Sequence, residues 1–121
     1  MKSIQVKDYK LSYVDEGVGQ PIVFIHNGGS SNLIWKRQKD YFLEKGYRVI
    51  IPDLIGCGAS DLTNKPLSLP FHISILKSFL EQINIKEAQM VGVCIGCNIS
   101  LSLISQEAVS YTHLRAHETD S

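Results

Sequence analysis

The sequence has no excess of either charge and no long apolar run. Its 121 residues carry 12 lysines and arginines against 12 aspartates and glutamates. We therefore expect neither a nucleic-acid partner nor an anionic membrane surface, both of which attract basic chains. Charged side chains interrupt the first apolar residues, and no stretch is long enough to span a bilayer, so we expect no signal peptide and no membrane segment. These absences predict a cytoplasmic protein.

Cysteines are few, and possible metal ligands are not clustered. The three cysteines are Cys57, Cys94 and Cys97. An odd number without an export signal indicates reduced thiols rather than a disulfide framework. The Cys-x-x-Cys pair has no second pair of ligands for zinc, and the glycine loops lack the fingerprints of dinucleotide or nucleotide-phosphate binding. We therefore expect no metal and no cofactor.

The hydrophobic residues, 44% of the chain, form short apolar runs that alternate with helical patterns. This alternation predicts one α/β domain with a mainly parallel sheet and helices on both faces. An opening antiparallel pair of strands is expected at residues 4–7 and 11–14. Further strands are expected at 22–25, 47–51 and 88–93, and helices at 32–45, around 73–83 and at 95–105.

The last residues have neither helical nor strand periodicity. Residues 109–119 resemble the translation of the transposase-end adaptor that is used to prepare sequencing libraries, so we interpret residues 108–121 as an artefactual or disordered tail. His113 and His117 are therefore not candidate catalytic residues. The domain is expected to cover residues 1–107 and to be truncated, with the natural gene continuing further.

Three glycine-containing loops follow predicted strands, where open α/β sheets bind ligands. They are residues 26–31, residues 53–61 and the Gly-Val-Cys-Ile-Gly turn at 92–96. In this turn, glycines two positions either side of Cys94 leave room for a sharp passage from strand to helix, with Cys94 in a sparsely populated backbone conformation. A sulfur at a helix N-terminus is favoured as the thiolate. A buried, inert cysteine that ends a core strand is the alternative.

The ordered set of three loops closely resembles the α/β-hydrolase superfamily, over residues 1–107 and hence over the N-terminal half of that fold. The resemblance makes Cys94 the nucleophile, at the position called the nucleophile elbow. It makes the backbone N–H groups of Gly28 and Ile95 the donors of an oxyanion hole. Such donors stabilise the negative charge that forms on a carbonyl oxygen during acyl transfer.

The resemblance also bears on other residues of the first two loops and on Trp35, which lies beyond the first. Asn27 and Gly29 are candidate binding residues beside Gly28. Trp35 is a candidate for lining the substrate pocket, although a tryptophan at helical spacing is more often part of a core. By the resemblance, His26 braces its loop and Asp53 is structural rather than catalytic.

The resemblance implies a hydrolase that acts on an ester, thioester or related acyl bond of a small molecule. The superfamily usually has serine at Cys94, with cysteine in a minority similar to dienelactone hydrolases, and glycine at Asn27. Its catalytic order is nucleophile, acid, histidine, so the acid and the histidine are expected beyond the truncation. The chain alone is therefore expected to be inactive and poorly soluble, and its oligomeric state is not predicted.

Two other functions remain open at this point. A binding protein or pseudo-enzyme of the same fold would keep the loops without the chemistry. A thioredoxin-like redox protein would use Cys94 and Cys97 as a dithiol, since Cys-x-x-Cys lies at the predicted strand-to-helix junction. That second alternative leaves the loops at 26–31 and 53–61 unexplained.

Overall fold

The computed structural model describes residues 1–105. The predicted tail at 108–121 and its boundary lie outside the described residues. The strands and helices are β1 (Lys2–Val6), β2 (Tyr9–Glu16), β3 (Pro21–Ile25), α1 (Lys36–Glu44), β4 (Arg48–Pro52), α2 (Leu69–Gln82), β5 (Gln89–Gly92) and α3 (Ile95–Ser105), with a 3-10 helix, Asn32–Trp35, directly before α1.

The described strands form one mixed sheet in the order β1-β2-β4-β3-β5. β1 pairs with β2 in antiparallel register, which confirms the predicted opening pair, and β2 is also antiparallel to β4. β3 lies between β4 and β5 and is parallel to both. The three strands that precede the glycine loops are therefore the parallel neighbours at one side of the sheet.

The helices cover both faces of the sheet, as predicted. The sequence of β3 is apolar throughout because both faces of the strand are covered. Val23 and Ile25 lie in the core beneath α2 and α3. Ile22 and Phe24 lie in the core on the α1 side. A strand that is covered on both faces buries every side chain, so its sequence does not alternate. Burial of each such side chain contributes about 1.5–3 kcal/mol.

The predicted helix at 32–45 is divided in the structure. Ser31 accepts a hydrogen bond from the Leu33 N–H at 3.3 Å and begins the 3-10 helix, and Trp35 leaves the helical region with φ −99° and ψ 10°. This break turns Trp35 towards Phe24, with 5.1 Å between the ring centroids. The helix at 32–45 was predicted from apolar residues at helical spacing, including Ile34 and Tyr41. These two side chains remain 44% and 55% exposed, so they do not belong to a buried stripe.

α2 begins at Leu69, earlier than the helix predicted around residues 73–83. The Ser68 side chain accepts from the N–H of Phe71 at 3.3 Å, and Pro70 lies in the first turn, where its missing N–H costs nothing. Leu76 and Phe79, apolar residues at helical spacing within the predicted range, are buried. No helix within residues 1–105 is long and apolar enough to cross a membrane.

Candidate active site

The parallel strands end at a common edge of the sheet. Ile25, the last residue of β3, is in register with Gly92, the last residue of β5. On the other side of β3, Val23 is in register with Ile50, two residues before the end of β4. The loops that follow all three strands therefore start at one edge, where ligands bind in parallel α/β sheets.

The turn between β5 and α3 holds Cys94 in a left-handed conformation, with φ 52°. The glycines on either side are sterically required. A Cβ on Gly92 would lie 2.6 Å from the Cys97 nitrogen and would collide with the backbone of Gly96. A Cβ on Gly96 would collide with the carbonyl oxygen of Ile25. Because a left-handed non-glycine residue costs about 1–3 kcal/mol, packing of the two glycines must maintain this turn.

Cys94 directly precedes α3. Its carbonyl oxygen accepts hydrogen bonds from the N–H groups of Cys97 at 3.0 Å and Asn98 at 3.3 Å. The first N–H groups of a helix have no acceptor within the helix, and the helix dipole adds partial positive charge there. The half-buried Cys94 therefore lies beside the first N–H groups of α3.

The loop after β3 contains a tight turn. The N–H of Ser30 donates to the carbonyl oxygen of Asn27 at 3.3 Å, and Gly29 has φ 77°, which a side chain would strain. Gly28 and Gly29 are exposed, and Asn27 is half-buried. Among residues 1–105, no atom lies within 4 Å of a Cβ built on Gly28. The backbone at Gly28 is therefore accessible to a ligand.

Gly96 joins the two segments that contain the predicted oxyanion donors. A Cβ built on Gly96 would lie within 3 Å of the carbonyl oxygens of Ile25 and His26, so the first turn of α3 lies close to the start of the loop that carries Gly28. The Val93 N–H also donates to the Ile25 carbonyl oxygen at 3.3 Å. The structure thus brings Ile95 and the Gly28 loop into neighbouring segments.

His26 is fully buried and has a single possible tautomer. The main-chain N–H of Leu54 donates to Nε2 at 3.0 Å, so Nδ1 carries the proton and donates to the Asn27 carbonyl oxygen at 2.6 Å. Burial lowers the pKa of His26, while the bond to Asn27 and the charge of Asp53 act in the opposite direction. The neutral ring links the loops after β3 and β4.

Asp53 is also fully buried, and both of its carboxylate oxygens accept hydrogen bonds. Oδ1 accepts from the main-chain N–H of Asn32 at 2.7 Å and from its side-chain amide at 2.9 Å. Oδ2 accepts from the Ala59 N–H at 3.0 Å. Gly58 has φ 53°, and a Cβ there would collide with this carboxylate. Asp53 therefore fixes the start of the 3-10 helix against the second glycine loop.

Trp35 lies in the core rather than on an open surface. It is 6% exposed and packs on Phe24, and its Nε1 is buried without a hydrogen-bond partner among residues 1–105. This position corresponds to the core alternative that the sequence left open. Its role in a substrate pocket stays a prediction.

His72 was not recognised from the sequence. It is 5% exposed on α2, and its Nδ1 has no hydrogen-bond partner among residues 1–105. Burial, and to a smaller extent the nearby His26, lower the pKa of His72. The signal in the sequence was its spacing from Ile75, Leu76 and Phe79, which places it on the buried side of the helix.

Two of the polar side chains near the candidate site, those of His26 and Asp53, have structural hydrogen bonds on every nitrogen or oxygen. His26 uses both ring nitrogens and Asp53 both carboxylate oxygens in hydrogen bonds that hold the loops. Within residues 1–105 there is also no group of three or more His, Cys, Asp or Glu side chains that could hold a metal ion.

Fold and loops together define an α/β protein whose glycine loops lie at the carboxyl edge of its parallel strands, the edge where open α/β sheets bind ligands. The chain belongs to the α/β-hydrolase family, because the family profile described as alpha/beta hydrolase fold matches residues 20–112. This membership confirms the predicted resemblance. It also accounts for the two glycine loops that a thioredoxin-like protein left unexplained.

Individual relatives differ in their named activities. The chain is 28% identical to a haloalkane dehalogenase of Mycobacterium marinum over 109 residues, covering 87% of this chain and 37% of the dehalogenase. An esterase structure from Exiguobacterium antarcticum has a TM-score of 0.87 at 28% identity, covering 94% of this chain and 43% of the esterase.

A further solved structure, Est816, is described as an N-acyl homoserine lactone degrading enzyme. It has a TM-score of 0.83 at 27% identity, covering 91% of this chain and 42% of that protein. The chain thus spans about two fifths of the length of each of these three relatives.

Proposed function

We propose that this chain is the N-terminal part of a hydrolase that cleaves an ester, thioester or related acyl bond of a small molecule, with Cys94 as its nucleophile. The observation that carries the proposal is the left-handed Cys94, φ 52°, between β5 and α3. A strained residue at a strand-to-helix turn presents its side chain above the sheet, as nucleophile elbows do. Family membership and the esterase-like fold give further support.

In the proposed reaction, the Cys94 thiolate attacks the carbonyl carbon of the substrate. The carbonyl oxygen then becomes negatively charged, and the N–H groups of Ile95 and Gly28 donate to it. Collapse of this intermediate expels the alcohol or thiol and leaves an acyl group on sulfur, which water then removes. Loss of one oxyanion donor costs about 10²–10³ in kcat in enzymes of this kind.

The proposed mechanism needs a histidine base and an acid to orient it. We place both after α3, in the order nucleophile, acid, histidine that this superfamily follows. Two observations support this placement: His26 and Asp53 are committed to loop contacts, and the chain spans only about two fifths of its relatives. Asn27, Gly29 and Trp35 remain proposed binding residues of the complete site.

We also propose that the chain is inactive alone, because the histidine and the acid are placed after α3, and that it associates through β5. Within residues 1–105, β5 lies at the end of the sheet and pairs with β3 on one side. An edge strand of this kind has N–H and C=O groups available to another chain. In a longer protein, further strands would cover this edge.

The test uses the complete parent protein, expressed from the gene that contains this sequence. Hydrolysis of p-nitrophenyl acetate and of an acyl thioester is measured for the parent, for Cys94→Ala and Cys94→Ser, and for Cys57→Ser. The last variant is the matched control, because Cys57 is also a half-buried thiol but lies in the loop after β4.

We expect Cys94→Ala to lose at least about 10³ in kcat/KM. Cys94→Ser should keep measurable turnover, and the Cys57 variant should keep nearly all of it. Equal turnover in the parent and in Cys94→Ala would overturn the proposal. A parent without any acyl hydrolase activity would instead favour a binding protein or pseudo-enzyme.

A further inference from the structure

We propose that Cys94 and Cys97 form an oxidisable pair of thiols, which a hydroperoxide converts to an intramolecular disulfide. The consequence for catalysis rests on the proposed function, because the disulfide would remove the Cys94 nucleophile. Formation of the disulfide depends only on the two thiols and on their geometry. Cys94 and Cys97, at the start of α3, would therefore be a site of reversible modification.

The backbone brings the two cysteines close together. The Cys97 N–H donates to the Cys94 carbonyl oxygen at 3.0 Å, which closes a four-residue turn. A turn closed in this way has its first and last Cα atoms within about 7 Å of each other. Disulfides usually join residues whose Cα atoms are about 4.4–6.8 Å apart. The separation of the two Cα atoms is therefore within the reach of a disulfide.

Both cysteines are partly exposed. Cys94 and Cys97 are each half-buried, and Cys94 is attached at the N-terminus of the 11-residue helix α3. The thiolate is the form of cysteine that reacts with peroxides. Cys57 lies in a different loop, after β4, and packs against the core beneath α2 and α3. It therefore provides an internal comparison.

The oxidation proceeds in two balanced steps. The Cys94 thiolate attacks one oxygen of the hydroperoxide, the O–O bond breaks, and the leaving oxygen takes a proton to give water or an alcohol. This leaves a sulfenic acid on Cys94. The Cys97 thiol then attacks that sulfur and forms the S–S bond, and the sulfenic oxygen leaves as water with the thiol proton. Two electrons pass from the two thiols to the peroxide.

The disulfide should be easily reduced. Its ring would contain four residues, and Cys94 already has a left-handed backbone, φ 52°. Strained and exposed disulfides have higher reduction potentials and belong to the labile, regulatory class. Ile95, whose N–H is the proposed oxyanion donor, lies inside the same ring. Oxidation would therefore alter both the nucleophile and its donor, and a thiol reductant would restore them.

The first test follows the disulfide itself in the 121-residue chain. The reduced chain is treated at low concentration with one equivalent of hydrogen peroxide, remaining thiols are alkylated with N-ethylmaleimide, and tryptic peptides are weighed. We expect the peptide with Cys94 and Cys97 to lose two hydrogens and to carry no label, while Cys57 is labelled. Dithiothreitol should return both labels. Full labelling of both cysteines, or a bond to Cys57, would overturn the inference.

The second test uses Cys97→Ser, with Cys57→Ser as the matched control. Without the second thiol, we expect the Cys94 sulfenic acid to persist and to react with dimedone. The Cys57→Ser control should instead form the disulfide, as the unsubstituted chain does. Equal dimedone labelling in the two variants would contradict the inference.

Activity of the complete parent protein separates the two proposals. If the disulfide forms but Cys94→Ala hydrolyses substrate normally, the proposed function fails and the modification site stands. If Cys94→Ala is inactive but peroxide produces no disulfide, the proposed function stands and this inference fails. Where both hold, we expect peroxide to remove at least about 90% of the activity and dithiothreitol to restore it.

Discussion

The Nε2 atom of His26 accepts a hydrogen bond from the main-chain N–H of Leu54 at 3.0 Å. The other ring nitrogen donates to the Asn27 carbonyl oxygen at 2.6 Å. One neutral side chain thus joins the loop after β3, which carries Gly28, to the loop after β4. A histidine beside a candidate active site is therefore explained by loop geometry rather than by proton transfer.

His26→Ala should lower the free energy of unfolding by about 2–4 kcal/mol, because it leaves a cavity and two buried backbone groups without a partner. Urea unfolding measures this change, and the fluorescence of Trp35, the single tryptophan, reports it. Leu62→Ala is the matched control, since Leu62 is 80% exposed. A loss no larger than that of the control would contradict the bracing role.

Gly96→Ala and Gly28→Ala should differ strongly in their effect on the free energy of unfolding. A Cβ at Gly96 collides with the Ile25 carbonyl oxygen, so we expect a loss of about 3 kcal/mol or more in the free energy of unfolding. A Cβ at Gly28 meets no atom within 4 Å among residues 1–105, so stability should change by less than about 1 kcal/mol. Urea unfolding measures both changes. Similar losses in the two variants would contradict the close packing of Gly96 against Ile25.

Stability should fall as the pH drops below the ordinary histidine pKa. Burial lowers the pKa of both His26 and His72 from 6.5, so the unfolded chain takes up protons that the folded chain resists. The contribution of the two neutral rings to the free energy of unfolding is complete above pH 6.5. It is lost as the pH falls towards the lowered pKa values. Urea unfolding at pH 7.5 and at about 5.5 measures the loss.

His72→Leu should reduce this pH dependence, because it removes one of the two titrating rings. The substitution leaves no partner of Nδ1 without a hydrogen bond, since Nδ1 has none among residues 1–105. The variant should retain the part of the dependence that belongs to His26. An unchanged difference between the two pH values would show that His72 does not contribute.

The 121-residue chain should associate at micromolar concentration, because β5 ends the described sheet. Light scattering after size exclusion compares it with the complete parent protein, which is the control with the edge covered. We expect a mass above one chain for the former and a single defined species for the latter. A monomeric and catalytically active 121-residue chain would contradict both the association and the proposed truncation.

Local patterns predicted much of this fold because each strand and each glycine loop has its own signal. The apolar run ending at Ile25 and the glycines around Cys94 were sufficient to place two loops at one sheet edge. The hydrogen bonds from Asn32 to Asp53 and from Leu54 to His26 were not predictable, since each joins segments that are distant in sequence. Periodicity likewise could not show that Trp35 would interrupt the helix to reach Phe24.

The most direct test of the central claim is the trapping of an acyl group on Cys94. The complete parent protein is mixed with p-nitrophenyl acetate, quenched in acid within one turnover, digested and analysed by mass spectrometry. We predict one acetyl group on the peptide that contains Cys94, its removal on further incubation, and its absence from Cys94→Ala. Continued ester hydrolysis in Cys94→Ala, with no acetyl group on Cys94 in the parent, would contradict the account.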